Sequence, residues 1–203
     1  MNLPELKIGK LVAQVPIIQG GMAIRLSTAP LAAAVANEGG IGLIAASGMG
    51  LDELRKEIRM ARELTGGKGI IGINAMVAAR QFLDLITTAA EEGIDLIVAG
   101  AGFSRDIFAV GRRYGVEVVP IVSSARLAQT AEKLGASAVV VEGTEAGGHL
   151  GTQQSIKEIL PEVIEAVNIP VIAAGGAIDG NDVAELLKLG ANGVQMGSRF
   201  AAS

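Results

Sequence analysis

Eight short apolar runs constrain this chain more than any other feature: Pro16–Gln19, Ile41–Ala46, Gly69–Met76, Leu96–Gly100, Glu117–Val122, Ala138–Val141, Pro170–Ala174 and Gly193–Met196. Each is close to continuously aliphatic rather than alternating. A strand of that kind is buried on both faces, as in a parallel sheet covered by helices. Between them the spacing predicts amphipathic or alanine-rich helices at Pro30–Glu38, Leu51–Leu64, Ala79–Glu92, Ser104–Tyr114, Ala125–Leu134, Pro161–Val167 and Asn181–Leu189. Gly39, Gly93, Gly115, Gly135 and Gly190 follow final turns as stop signals, and Pro30 and Pro161 suit first-turn positions. The alternation predicts an α/β fold, a TIM-type (β/α)8 barrel, with residues 1–203 as a single domain. It reads as truncated after strand eight, since the sequence stops at Ser203 and leaves out the C-terminal helix and lid region. A doubly wound open sheet is the alternative. It would normally open on a Gly-x-Gly-x-x-Gly turn with an acid about 20 residues later, whereas Gln19-Gly20-Gly21-Met22 follows the first strand here.

Composition removes several function classes. A formal charge of −4 offers no basic surface for nucleic acid, and 2% aromatic residues supply no base-stacking platform. With no cysteine and one histidine, disulfides and thiolate metal centres are excluded and no metal site is expected. The N-terminal residues lack a basic segment followed by an apolar core, and no apolar run reaches about 18 residues, so a cytoplasmic protein without a membrane partner is predicted. The alanine-rich helices could pack against a second copy, which leaves a homodimer open.

In a barrel of this kind the groups that follow the strands converge on one mouth. His149 sits there, in Glu142-Gly143-Thr144-Glu145-Ala146-Gly147-Gly148-His149, and an imidazole with an ordinary pKa of about 6.5 can take and return a proton near neutrality. Gly20, Gly21, Met22 and Arg25 follow strand one, Asn74 lies near the end of strand three, and Gly175 and Gly176 follow strand seven. Gln195, Met196, Gly197 and Ser198 close strand eight. Glycine turns after strands seven and eight present backbone amides to an anion, which points to a phosphate. Arg25, Arg80, Arg105, Arg126 and Arg199 lie where strands pass into helices, a weaker hint of the same kind, since each alone reads better as a solvated charge. Schiff-base chemistry lacks a placed lysine: Lys68 precedes strand three, and Lys56, Lys133, Lys157 and Lys188 fall on helices. Magnesium-assisted enolisation lacks carboxylates at strand ends beyond Glu142 and, more loosely, Asp179. Glu142 and Glu145 share one loop, unlike a glycosidase pair. A proton-transferring imidazole beside a phosphate-bearing ligand remains, which suits a nucleotide cofactor that does the redox work.

Five segments carry a resemblance: residues 16–22, Gly72-Ile73-Asn74, 142–149, 171–176 and 195–200. Together they resemble the motifs of the nitronate monooxygenase family, whose close relatives are the flavin-dependent enoyl-acyl-carrier-protein reductases. The resemblance implies a barrel that binds FMN. By it, Gly21, Met22 and Ala23 would line the flavin ring and Asn74 would hydrogen-bond it. Gly147, Gly148, Gly175, Gly176 and Gln195 to Ser198 would hold the ribityl chain and phosphate, with Glu142 beside the cofactor. His149 would be the base that takes the α-proton of a nitroalkane or assists oxidation of its anion, giving a carbonyl compound and nitrite with O2. In the reductases the matching histidine lies where reduced flavin, recharged by NAD(P)H, passes hydride to an enoyl thioester. Glu142 stands where the monooxygenases carry glutamine, which resembles the reductases, while residues 70–76 and 194–200 resemble sequences assigned as nitronate monooxygenases. The expected partners are therefore a small nitronate or enoyl thioester with O2 or NAD(P)H. A non-catalytic flavin- or phosphate-binding barrel is the alternative of another class.

Overall fold

The computed structural model describes residues 3–23, 25–147 and 152–203. Eight parallel strands close into a barrel: β3 (Ile17–Gln19), β4 (Ile41–Ala45), β5 (Ile70–Met76), β6 (Leu96–Gly100), β7 (Glu117–Val122), β8 (Val139–Glu142), β9 (Val171–Ala174) and β10 (Gly193–Met196). Ahead of them β1 (Leu6–Ile8) and β2 (Leu11–Ala13) form an antiparallel hairpin. The strands are followed in turn by α1 (Ala29–Asn37), α2 (Leu51–Leu64), α3 (Phe82–Glu91), α4 (Asp106–Tyr114), α5 (Ala125–Leu134), α6 (Ile156–Ala166), α7 (Gly180–Lys188) and the single turn α8 (Ser198–Ala201). The last strand pairs with the first, Val194 with Ile17 and Gln195 with Ile18, so the sheet is closed and the doubly wound alternative is ruled out.

Alternation along each strand sorts the side chains into two cores. Ile18, Leu43, Leu96, Val98, Val119, Val140 and Ile172 fill the barrel interior. Ile44, Ile73, Ile97, Val118, Val141, Ala173 and Val194 face the helices, which lay buried stripes such as Leu54, Ile58 and Ala61 of α2 against them. Close packing of this outer layer is visible at Gly42, where a Cβ would lie 1.9 Å from the Ala32 carbonyl oxygen of α1. All five glycines expected to end helices adopt a left-handed φ, between 68° and 105°.

Three features depart from the sequence expectation. The hairpin was not foreseen because three-residue strands carry too little periodicity to register. Leu6, Ile8 and Ala13 join the interior core from below, Leu6 resting on Gly193, and thus plug the N-terminal end of the barrel. Its turn is pinned by Glu117, which accepts from the Lys10 N–H at 3.0 Å, while the Lys10 ammonium donates to the Gly115 carbonyl at 2.6 Å. Strand β8 runs one residue further than expected and takes in Glu142. Helix α6 starts at Ile156, which makes Pro161 its sixth residue rather than a first-turn proline. The start is fixed by polar caps: Glu158 accepts from the Ser155 N–H and hydroxyl, both at 2.8 Å, and Glu145 accepts from the Ile156 N–H at 2.9 Å. Pro161 then forfeits a single intrahelical bond, which the caps and the buried face of Ile159, Leu160 and Val163 offset.

Candidate active site

The interior parity carried to the C-terminal ends of the strands determines which side chains meet at the mouth. Gly20, Ala45, Gly100 and Ala174 are small there, and Gln195 and Ile121 reach towards the spaces at Gly20 and Gly100. Asn74, Glu142 and Gln195 share that parity and bring polar groups to the mouth. Sequence position alone suggested all three; strand register shows how they relate. Glu142 of β8 and Gln195 of β10 both pair with Ala174 of β9, so the three form one row across neighbouring strands. At about 4.8 Å per strand their backbones stand roughly 10 Å apart, a gap that two five-atom side chains can span above a methyl group.

This row is electrostatically unfinished. Gln195 is buried, and its Oε1 has no hydrogen-bond donor among the described residues. A buried carbonyl oxygen left unpaired is costly, so the position is complete only when something donates to it. Burial pushes the Glu142 carboxyl above its usual range, because desolvation penalises the charged form.

The loop after β3 is held by a network the sequence did not announce. Gln19 and Ser27 are fully buried. The Ser27 hydroxyl accepts from the Gln19 side-chain amide at 2.8 Å and from the Met22 N–H at 2.8 Å, and donates to the Gly20 carbonyl at 3.2 Å. Gln19 also accepts from the Leu43 N–H at 3.1 Å, which ties the loop to β4. Gly21 is thereby pressed against β5, where a Cβ would lie 2.2 Å from that of Asn74. Met22 reaches over Gly197, with its Cγ 3.7 Å from where a Cβ would stand. Ala23 is exposed beside them. The first, third and eighth strand loops thus meet on one side of the mouth.

The strands of the polar row run on into glycine turns. Gly175 (φ 107°) and Gly176 (φ 77°) pack beneath Ala146 and Glu145, so the loops after β8 and β9 touch. Among the described residues, nothing lies within 4 Å of where a Cβ of Gly147 would be. A cavity of about 560 Å³ lies beyond, between the starts of α7 and α8, walled by Ile178, Asp179, Gly180, Ser198 and Arg199. Asp179 already accepts from the Asn181 and Asp182 N–H groups, so the amides of α7 are engaged. Amides of the Gly197–Ser198 turn are the donors left for an anion on this side.

Other candidates take different places. Met196 turns its side chain outward into the helix-facing core and offers the mouth only its backbone, whose carbonyl accepts from Gly20 at 2.8 Å. Met49 is a core filler. Arg25 pairs with Glu53 at 2.9 Å, an internal answer to its charge, while Arg80, Arg105 and Arg126 are exposed. Glu145 caps α6, and Asp179 caps α7. Gly148 and His149 lie outside the described residues.

Comparison with known proteins gives this geometry a family context. Residues 5–203 match the family model described as nitronate monooxygenase. A Rhodococcus jostii protein, (3aS,4S,5R,7aS)-5-hydroxy-7a-methyl-1-oxo-octahydro-1H-indene-4-carboxyl-CoA dehydrogenase, is 35% identical over 187 residues, which cover 92% of this chain and 52% of that protein. The Staphylococcus aureus protein named "Probable nitronate monooxygenase" is 31% identical, with 93% of this chain and 65% of the relative covered. Among solved structures, FabK from Thermotoga maritima superposes with a TM-score of 0.89 at 40% identity, over 94% of this chain and 60% of that one. The chain spans about half to two thirds of the length of these relatives. No described helix is long and apolar enough to cross a membrane.

Proposed function

Since this chain belongs to the nitronate monooxygenase family, we propose that it forms the barrel of an FMN-dependent oxidoreductase, with the cofactor over the C-terminal mouth. The observation that carries the reading is the Glu142–Ala174–Gln195 row, with a buried Gln195 oxygen that awaits a donor. A flavin carries both donors and acceptors, so the residues present suit it. Asn74 and Gln195 would hydrogen-bond the cofactor, and Gly21, Met22 and Ala23 would back its ring. Gly147, Gly148, Gly175 and Gly176 with the Gln195-Met196-Gly197-Ser198 turn would hold the ribityl phosphate. FMN supplies the electron transfer when bound.

The chain's own residues contribute binding and proton management. His149 takes the α-proton of a nitroalkane, which gives the nitronate, or assists oxidation of that anion. Burial of Glu142 shifts its carboxyl towards the neutral form and so holds its proton more tightly than an exposed carboxyl would. The Gln19–Ser27 network fixes the first loop so that Met22 stays over Gly197. The favoured substrate is an alkyl nitronate, which with O2 gives a carbonyl compound and nitrite. A second reading, reduction of an enoyl thioester with NAD(P)H, is favoured by Glu142 in place of glutamine and by the acyl-CoA named for the Rhodococcus relative.

Anaerobic absorbance of the purified full-length protein tests the proposal. A flavin band bleached by nitronate and not by NAD(P)H supports the monooxygenase. Bleaching by NAD(P)H with reoxidation by an enoyl thioester supports the reductase. Flavin that no substrate or nicotinamide reduces would leave a binding barrel. His149→Ala should abolish turnover and retain FMN; unchanged turnover would remove His149 as the base.

A further inference from the structure

On the reading just proposed, in which substrate meets the flavin at the mouth, we propose that Met76, together with Ile121, seats the straight aliphatic chain of the substrate and sets the chain length accepted. Met76 lies two residues beyond Asn74 on β5 and so shares its inward parity. Ala75 before it and Val77 after it pack into the helix-facing core. Met76 is half-buried and, among the described residues, belongs to neither core. A methionine at a barrel mouth without a core to fill is available to a ligand, and its unbranched thioether adapts to apolar shapes.

The neighbouring strand leaves it room. Met76 pairs with Gly100 of β6, which has no side chain. The space above Gly100 is entered instead by Ile121 of β7, whose Cδ1 would lie 2.7 Å from a Cβ at that position. Met76 and Ile121 therefore stand on either side of Gly100 in one row, with Ile121 reaching over the glycine, and both present apolar side chains. The Ser47 hydroxyl accepts from the Met76 N–H at 2.8 Å, which fixes the backbone while the side chain stays adjustable. In the barrel order, β5 lies four strands from β9, directly across from Ala174 and its glycine turns. Beyond Asn74, the ends of β5–β7 thus carry the apolar side chains Met76 and Ile121, across the barrel from the polar row on β8–β10, an arrangement for a ligand with a polar reacting end and an aliphatic tail. Nitronates and acyl thioesters both carry such a tail, so chain-length selection holds for either chemistry.

The test uses full-length flavin-loaded protein and straight-chain alkyl carboxylates of two to ten carbons as unreactive probes, followed by calorimetry. Affinity should rise about fourfold per added methylene until the seat is full. Met76→Phe should weaken the eight-carbon probe at least tenfold while the two-carbon probe changes less than twofold, and Ile121→Val should shift the optimum towards longer chains. Flavin content should stay at the wild-type level in both. A wild-type protein indifferent to chain length, or variants with the wild-type length profile, would overturn the assignment. Length dependence in a protein whose flavin no substrate reduces would retain this seat and remove the proposed reaction instead.

Discussion

Ser27→Ala is the most informative single perturbation, because the hydroxyl removed is small, fully buried and makes three bonds. Without it the Gln19 side-chain amide loses its 2.8 Å acceptor and keeps only the Gly20 carbonyl, and the Met22 N–H loses its partner at 2.8 Å. Each buried donor left unpaired costs about 1–3 kcal/mol, and water can reach the part-buried Met22 amide, so the sum is roughly 3 kcal/mol. For a domain of this size that corresponds to a fall in melting temperature of roughly 6–12 °C. Thr130→Ala is the control: its hydroxyl donates to the Arg126 carbonyl at 2.9 Å on the solvent side, so its removal should stay within about 0.5 kcal/mol. Thermal unfolding followed by circular dichroism reads both. The loosened Gly20–Met22 loop should also weaken FMN binding, measured by recovery of flavin fluorescence on dilution. A Ser27→Ala protein melting within 2 °C of wild type would refute the argument that this network holds the loop.

Further expectations follow from other contacts. Gly21→Ala must displace the loop or Asn74 by more than an ångström, since its Cβ would sit 2.2 Å from that of Asn74; a loss of about 1–3 kcal/mol in chemical denaturation and at least tenfold weaker FMN binding are expected. Gly147→Ala meets nothing within 4 Å among the described residues, so its stability should be unchanged, and loss of FMN affinity at unchanged stability would report contact with the ligand. Burial raises the Glu142 pKa in the folded chain above the ordinary 4.5, so the unfolded chain releases this proton first. Native stability is therefore lost as pH rises from about 4.5 to the raised folded value and is level above it. Glu142→Gln should be the more stable protein at pH 7 without ligand, with the advantage gone below pH 4.5 in paired denaturant melts; an equal advantage at both pH values would contradict the burial argument. Leu6→Ala empties the plug under Gly193 and should cost about 2–5 kcal/mol in the same assay while leaving the far mouth able to bind flavin.

The barrel was legible because each strand and helix announces itself within a dozen residues. Continuous aliphatic runs, the helical stripe of Leu54, Ile58 and Ala61, and glycines after the last turns are local signals, and all eight barrel strands lie where those runs predict them. Placing Asn74, Glu142 and Gln195 at strand ends likewise needed only the rule that such ends converge. The helix start at Ile156 was missed because Pro161 is the louder local signal, whereas Glu145, eleven residues upstream, supplies the deciding cap.

The order and type of the barrel elements, and the set of groups delivered to one face, follow from periodicity along the chain and are readable from it. Which of those groups become neighbours depends on how the closed fold brings them together. The shared pairing of Glu142 and Gln195 with Ala174 is a matter of register between strands, and the partnership of Arg25 with Glu53 spans 28 residues. Ser27 is an unremarkable loop serine until folding buries it against Gln19, and Met76 reads as core until its strand neighbour proves to be Gly100. Such relations arise from long-range closure of the sheet, which fixes inward parity, burial and unpaired polar atoms together and leaves no trace in local composition.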